Sequence, residues 1–441
     1  YIADQFKALG VQPAGEALSY FQTKYRDFVK LAEDPKLSFT NFEEALIYKQ
    51  DYAVYSNSVP IENINITGNI EILLLKEVTT TQRSFTIPLL DDLDFSNEIV
   101  MVFGPEEIGY LRRVSHLGII IVSDNPKIFN LNQTLLPSIA TARFSGGQFK
   151  TISGPPIFWI SADLANKLLA QSGYTLAQLR EIRETANADE VFQEELNIEA
   201  TLEIEVDFQD RVPVKHVLGF IPGEAAIPGV AKLDDQMIVI AAQYDMPPSS
   251  EGEHAGYALD NASGIAMMLE TIRVLMDSGY QPYRTIYFVA YSGEGTEGGA
   301  IIEPTISKFL QARLGFTNAY TPIGVIELRG IGVPNSDGIL IRPGSSLRLT
   351  RLFETAAQQL GVASSRQRAE LDLGIIFSQP NNLSFSNIGE EAPQLGLNTD
   401  GWEEFSHLPT DTMENISRES LENAGKVISY ALMIMAREID Y

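Results

Sequence analysis

Between residues 201 and 345 the chain alternates between apolar runs and helical stripes. Met237–Ala242 is an unbroken apolar run, the pattern of a strand buried on both faces of a parallel sheet. Behind it, Ile265, Met268, Leu269, Ile272, Leu275 and Met276 recur at helical spacing. Asn261 or Ser263 is placed to cap that helix, and Gly279 to close it. Thr285–Tyr291 reads as the next strand, Ile306–Leu314 as a helix and Ile323–Leu328 as another buried strand. Strand and helix in strict alternation imply an α/β architecture with a mostly parallel sheet. A last stripe of Leu421, Ala424, Val427, Ile428, Ala431, Leu432 and Met435 predicts an amphipathic helix over 418–438.

The first two hundred residues have another texture. Residues 1–50 lean towards helix and are aromatic, as in Tyr20-Phe21-Gln22-Thr23-Lys24-Tyr25. Residues 51–200 read as short strands with few helices: Ile70–Leu75, Ile99–Phe103, Gly118–Val122 and Ile157–Ile160 are apolar runs. Residues 108–117 are helix-like, Ser161 marks a helix start at Ala162, and 175–198 reads as helix and then linker. The expected organisation is therefore an α/β domain formed by residues 1–50 and 201–441, interrupted by a β-rich insert at 51–200.

Composition narrows the function. The 441 residues are 44% hydrophobic and 20% charged, enough to bury a large core. A formal net charge of −26 repels phosphate backbones, so nucleic-acid binding is excluded. No apolar run approaches the roughly 18–20 residues of a membrane span. With no cysteine there is no disulfide, thiol nucleophile or cysteine-type metal site. The histidines are His116, His216, His254 and His407, so any metal site must lean on carboxylates.

In open α/β sheets chemistry gathers beyond the C-terminal ends of the strands. There the chain places Gln243-Tyr244-Asp245, then Asp260-Asn261-Ala262-Ser263-Gly264 opening a helix, then Ser292-Gly293-Glu294-Gly295. Glu327 lies inside an apolar strand, where a carboxylate needs a cation or a hydrogen-bond donor. His407 and Asp411 follow in a late loop, Ser406-His407-Leu408-Pro409-Thr410-Asp411-Thr412. Carboxylates with an imidazole suit a hard or borderline divalent metal.

In these segments the sequence resembles the co-catalytic dizinc aminopeptidases (metallopeptidase clan MH, family 28). That family carries His-x-Asp after one strand, Asp-Asn-x-Ser-Gly at a helix start and Glu-Glu after the next strand. An Asp follows a further strand, and a late His sits in a segment resembling His-Thr-x-x-Asp-Thr. The likeness extends to Tyr1–Gln22 and to His216–Gly223. Residues 98–103, 117–124 and 155–169 are similar to the family's protease-associated (PA) insert. The resemblance implies a zinc-aminopeptidase-like mixed, mostly parallel sheet flanked by helices, and a β-rich PA-type inserted domain. It also implies a secreted or cell-surface protein processed from a longer precursor, with Tyr1 lying inside that precursor.

Carried over position by position, the family's zinc ligands are degenerate here. Gln243 stands for the first histidine, Asp260 keeps the bridging aspartate and Gly295 replaces the second glutamate of the pair. Glu327 replaces the next aspartate, and His407 keeps the final histidine, so two of five positions are identical. Glu294 matches the general base, and Asp245 is retained. A glutamine amide is a poor zinc donor, an added methylene moves a carboxylate by about a bond length, and glycine offers nothing. Glu297 and His254 are the available substitute ligands.

Two expectations follow from this set. One is a catalytically impaired homologue that binds peptide or protein partners or assembles with itself, its metal ligands vestigial and zinc occupancy lost. The other is an active secreted aminopeptidase with one metal or a rearranged site, Glu294 acting as general base. A receptor for carbohydrate or peptide that uses the cleft without chemistry is a third.

Overall fold

The apolar runs between 236 and 328 form the centre of a nine-stranded sheet in the computed structural model. The structure describes residues 1–54, 62–75, 93–104, 111, 114–124, 142–145, 148–151, 155–170, 172–185, 191–224, 233–245, 257–292, 321–336, 338–343, 346–366, 393–405 and 410–438. The chain divides into two compact units, one built from Tyr1–Arg26, Pro213–Leu371 and Phe377–Tyr441 and the other from Asp27–Val212 with Asp372–Ile376.

In the first unit, helix α1 (Ile2–Ala8) leads to β1 (Gln12–Pro13) and β2 (Phe21–Leu31). Only α1 fulfils the helical expectation for residues 1–50. The aromatic stretch around Tyr20–Tyr25 enters β2, because aromatic side chains suit a pleated surface. After β12 (Val206–Ile221) come β13 (Gln236–Gln243), helix α4 (Ser263–Asp277), β14 (Thr285–Tyr291) and β15 (Thr321–Leu328). Then follow β16 (Gly338–Pro343), α5 (Leu347–Leu360), β17 (Ala363–Arg366), β18 (Gln394–Thr399) and α6 (Arg418–Arg437). The helix expected at 306–314 lies outside the described residues.

The sheet runs β1-β12-β14-β13-β15-β18-β16-β17, with β2 on β12. Its centre, β14-β13-β15-β18, is parallel; β12 and β16 join it antiparallel. Strand alternation sends Ile238, Ile240, Ala242, Ile326 and Leu328 to one face. There they pack under Met268 and Ile272 of α4, Phe353 of α5 and Val427 and Ile428 of α6. Met237, Val239, Ala241, Tyr287, Val289, Tyr291 and Val325 line the other face.

In the second unit, the sheet order is β3-β11-β5-β6-β7-β10-β4. Its strands are β3 (Lys36–Phe39), β4 (Tyr52–Val54), β5 (Ile64–Leu75), β6 (Phe95–Val102), β7 (His116–Ser123), β10 (Ile157–Ser161) and β11 (Val191–Ile204). A hairpin of β8 (Ala142–Ser145) and β9 (Gln148–Thr151) stands apart. Helices α2 (Ala162–Leu169) and α3 (Leu176–Thr185) follow β10 among the described residues of this unit. Ser161 caps α2 by accepting from Leu164 N at 3.2 Å, as the sequence predicted. The linker expected after α3 is instead the long strand β11, whose apolar residues from Leu196 onwards alternate into the core. Half of the helix-like stretch at 108–117 lies outside the described residues, and at its end His116 and Leu117 belong to β7 rather than to a helix.

Candidate active site

The candidate site lies at the C-terminal ends of β13, β14 and β15, where the start of α4 meets the sheet. Helix α4 is preceded by a π-helical turn, Ala258–Ala262, which carries Asp260. Gly264 makes this approach possible, since a Cβ there would lie 2.3 Å from the Leu328 carbonyl oxygen. Ser263 Oγ donates to Leu259 O and accepts from Ile331 N at 2.9 Å, tying the turn to the exit of β15.

The capping expectation is corrected here. Neither Asn261 nor Ser263 caps the turn: Asn261 Nδ2 donates to Asp245 O, and Ser263 is used as above. Asp411 does the capping from across the fold, its carboxylate accepting from Leu259 N at 2.6 Å and Asp260 N at 2.9 Å. Asp411 is fully buried, and a negative charge is favoured at a helix start by the exposed N–H groups.

Asp260 is also fully buried. Both its oxygens are held by one guanidinium: Arg329 Nε donates to Oδ1 at 2.7 Å and Arg329 Nη2 to Oδ2 at 2.9 Å. This parallel, two-bond geometry is the strongest form of carboxylate pairing. Glu327, almost fully buried, accepts from Tyr291 OH at 2.5 Å and from Arg342 Nη2 at 3.4 Å. The register explains the second contact. Glu327 of β15 and Arg342 of β16 both lie opposite Gly396 of β18, and glycine has no side chain to separate them.

Both guanidiniums lie over Trp402, at 5.4 Å (Arg329) and 5.9 Å (Arg342) from its ring centre. The indole is itself buried, and Gly330 lies against it with φ +59°, where a Cβ would come within 2.8 Å of the ring. Asp245 accepts from Ser292 Oγ at 2.6 Å and from Gln243 Nε2 at 3.3 Å.

The fold thus brings Gln243, Asp245, Asp260 and Glu327 to one end of the sheet. Glu294 and His407, together with Glu297 and His254, lie outside the described residues. Among the described residues no three His, Asp or Glu side chains gather as a metal-binding set. Among the described residues the donors are already engaged by cations: both oxygens of Asp260 face Arg329, and Glu327 faces Arg342. Arg329, Arg342, Trp402 and Asp411 carry this arrangement, and the first three lie outside the strand-end motifs of the sequence. The available signal was two arginines, at 329 and 342, in or beside otherwise apolar strands, where a buried cation demands a buried anion.

Residues 224–432 match the model of peptidase family M28. The α/β unit is thus similar to peptidase family M28 over that stretch. Among solved structures, an aminopeptidase from an Aneurinibacillus species is similar at 18% identity, with 99% of this chain and 87% of that chain covered and a TM-score of 0.63. A peptidase M28 precursor from Shewanella amazonensis is 15% identical over 99% of this chain and 87% of that one, TM-score 0.55. A zinc aminopeptidase from Bacillus subtilis is 18% identical over 99% and 88%, TM-score 0.54. At these identities the structural likeness speaks for the fold, which is the zinc-aminopeptidase-like α/β fold.

Proposed function

We propose that this protein is a degenerate M28 peptidase homologue without ordinary dizinc aminopeptidase activity, and that it works by binding or assembly. The carrying observation is the buried Asp260 carboxylate, held at both oxygens by Arg329. The Bacillus relative is a zinc enzyme, and kinship with it suggests zinc here. In this chain Gln243 and Gly295 at two ligand positions and the paired Asp260 argue against that loading. In this reading the unit at 27–212 is a PA-type insert that serves as an interaction surface for peptide or protein partners or for self-assembly. The setting is secreted or cell-surface. No helix of the described residues is long and apolar enough to cross a membrane.

A second reading, an aminopeptidase with one metal or a rearranged site, is favoured by one observation. Asp245 is held in place by Gln243 and by Ser292, and Ser292 stands two residues before the retained Glu294. Aminoacyl-nitroanilide hydrolysis by the full chain, with Glu294→Ala as control, separates the two. No turnover above that variant, with self-association in sedimentation at micromolar concentration, supports assembly. Turnover lost in Glu294→Ala sinks the first reading and establishes the second.

A further inference from the structure

We propose that Arg329 and Arg342 stand in for the metal charge of the fold at Asp260 and Glu327, so that the former metal cleft is a zinc-indifferent structural centre. This deepens the reading above and rests on the arrangement of charges, independently of whether any partner is bound. An M28-type α/β sheet delivers carboxylates to one buried point, and buried carboxylates demand positive charge. A metalloenzyme supplies it as an ion. Here two carboxylates, Asp260 and Glu327, meet two guanidiniums, one each, while the neighbouring Asp411 is satisfied by two backbone N–H groups.

Three observations make this a built arrangement. First, Arg329 meets Asp260 through two parallel hydrogen bonds while it is only 14% exposed, so the pair is shielded from water. Lysine could not reproduce that fork. Second, the site reads across the sheet: Glu327, Gly396 and Arg342 form one row, and the middle strand offers glycine where a side chain would block the contact. Third, both guanidiniums share the buried Trp402 face, and that ring is seated against Gly330 in a left-handed conformation. The segment Arg329-Gly330-Ile331 is bonded back to the Asp260 turn through Gly330 N to Asp260 O and Ile331 N to Ser263 Oγ. A cation that takes the Asp260 oxygens would have to displace Arg329 from both of them.

The test uses the full chain, zinc alone as probe, and two readouts besides activity. After zinc exposure and desalting, elemental analysis is expected to find well under one zinc per chain. The thermal midpoint is expected to be the same with zinc and with excess chelator. Arg329→Ala is expected to melt several degrees lower and to recover part of that loss on adding zinc. One or more zinc per wild-type chain, with a midpoint that falls on chelation, overturns the proposal. So does a zinc response equal in wild type and Arg329→Ala, nil included, since the pair would then be an ordinary buried ion pair. If Arg329→Ala does not fold, Arg329→Met combined with Asp260→Asn decides. Recovery of a folded, zinc-indifferent chain supports the proposal, and failure to recover overturns it. Zinc binding without hydrolysis would sink this inference and leave the functional reading standing. Hydrolysis by a zinc-free chain would do the reverse.

Discussion

Carboxylates crowd together in both units of this protein, and the two crowds are handled differently. In the α/β unit, Asp260 and Glu327 are buried and each faces an arginine. In the second unit, Glu71 of β5 lies directly opposite Glu195 of β11, with Glu98 and Glu194 near enough to be felt. There the partners are amides and hydroxyls. Asn69 donates to Glu195 at 3.1 Å, Asn65 to Glu203 at 3.1 Å, and Thr67 meets Thr201 at 2.9 Å. Amides satisfy hydrogen bonds but leave the charge, which water must screen. Burial is the difference. A solvated sheet face tolerates like charges at a small cost, whereas a closed cleft cannot hold an unpaired carboxylate.

The chain has two tryptophans, Trp159 in the second unit and Trp402 under the arginines, so fluorescence can follow each unit separately. In a Trp159→Phe background, Arg329→Ala should cost about 3–5 kcal/mol in urea unfolding read at Trp402, because it strands a buried charge. A loss within the range of a surface ion pair, under about 1 kcal/mol, would erase the contrast between the units. Asp411→Ala should cost about 2–4 kcal/mol by the same assay, since two buried N–H groups lose a charged acceptor. Tyr291→Phe removes one donor from Glu327 and keeps the ring, so about 1–2 kcal/mol is expected.

The smallest effect belongs to the second unit. Burial, then the neighbouring Glu195, Glu98 and Glu194, raise the Glu71 pKa above its ordinary 4.5. The folded unit therefore holds this proton more tightly than the unfolded chain does. The resulting stability is full below the ordinary value and is lost as pH rises through the raised one. Glu71→Gln should then raise stability at neutral pH by about 0.5 kcal/mol, discounted for exposure. The gain should vanish near pH 4, read at Trp159 in a Trp402→Phe background. An equal gain at both pH values would show that charge plays no part.

Much of the site was legible as chemistry but not as partnership. Asp260 could be read from its Asp-Asn-x-Ser-Gly setting, and Glu327 from its place inside an apolar strand. Their cations could not be. Arg329 is 69 residues from Asp260 in sequence, and Asp411 is 151 from the amide it caps. The same limit explains the misread cap of α4: a local rule offers Asn261 or Ser263, and the fold brings a better acceptor from far along the chain.

The sequence by itself determined β13, β14 and β15 and the stripes of α4 and α6, because side-chain periodicity and burial are local properties, whereas β2 and β11 escaped it. It also determined which residue types stand at the strand ends, and so the three departures from the resembled ligand pattern, at Gln243, Gly295 and Glu327. Tertiary structure alone decided what the surviving carboxylates face. That choice depends on sheet order, which sets β18 between β15 and β16, and on register, which places Gly396 between Glu327 and Arg342. Order and register are fixed by long-range pairing, and no local pattern encodes them.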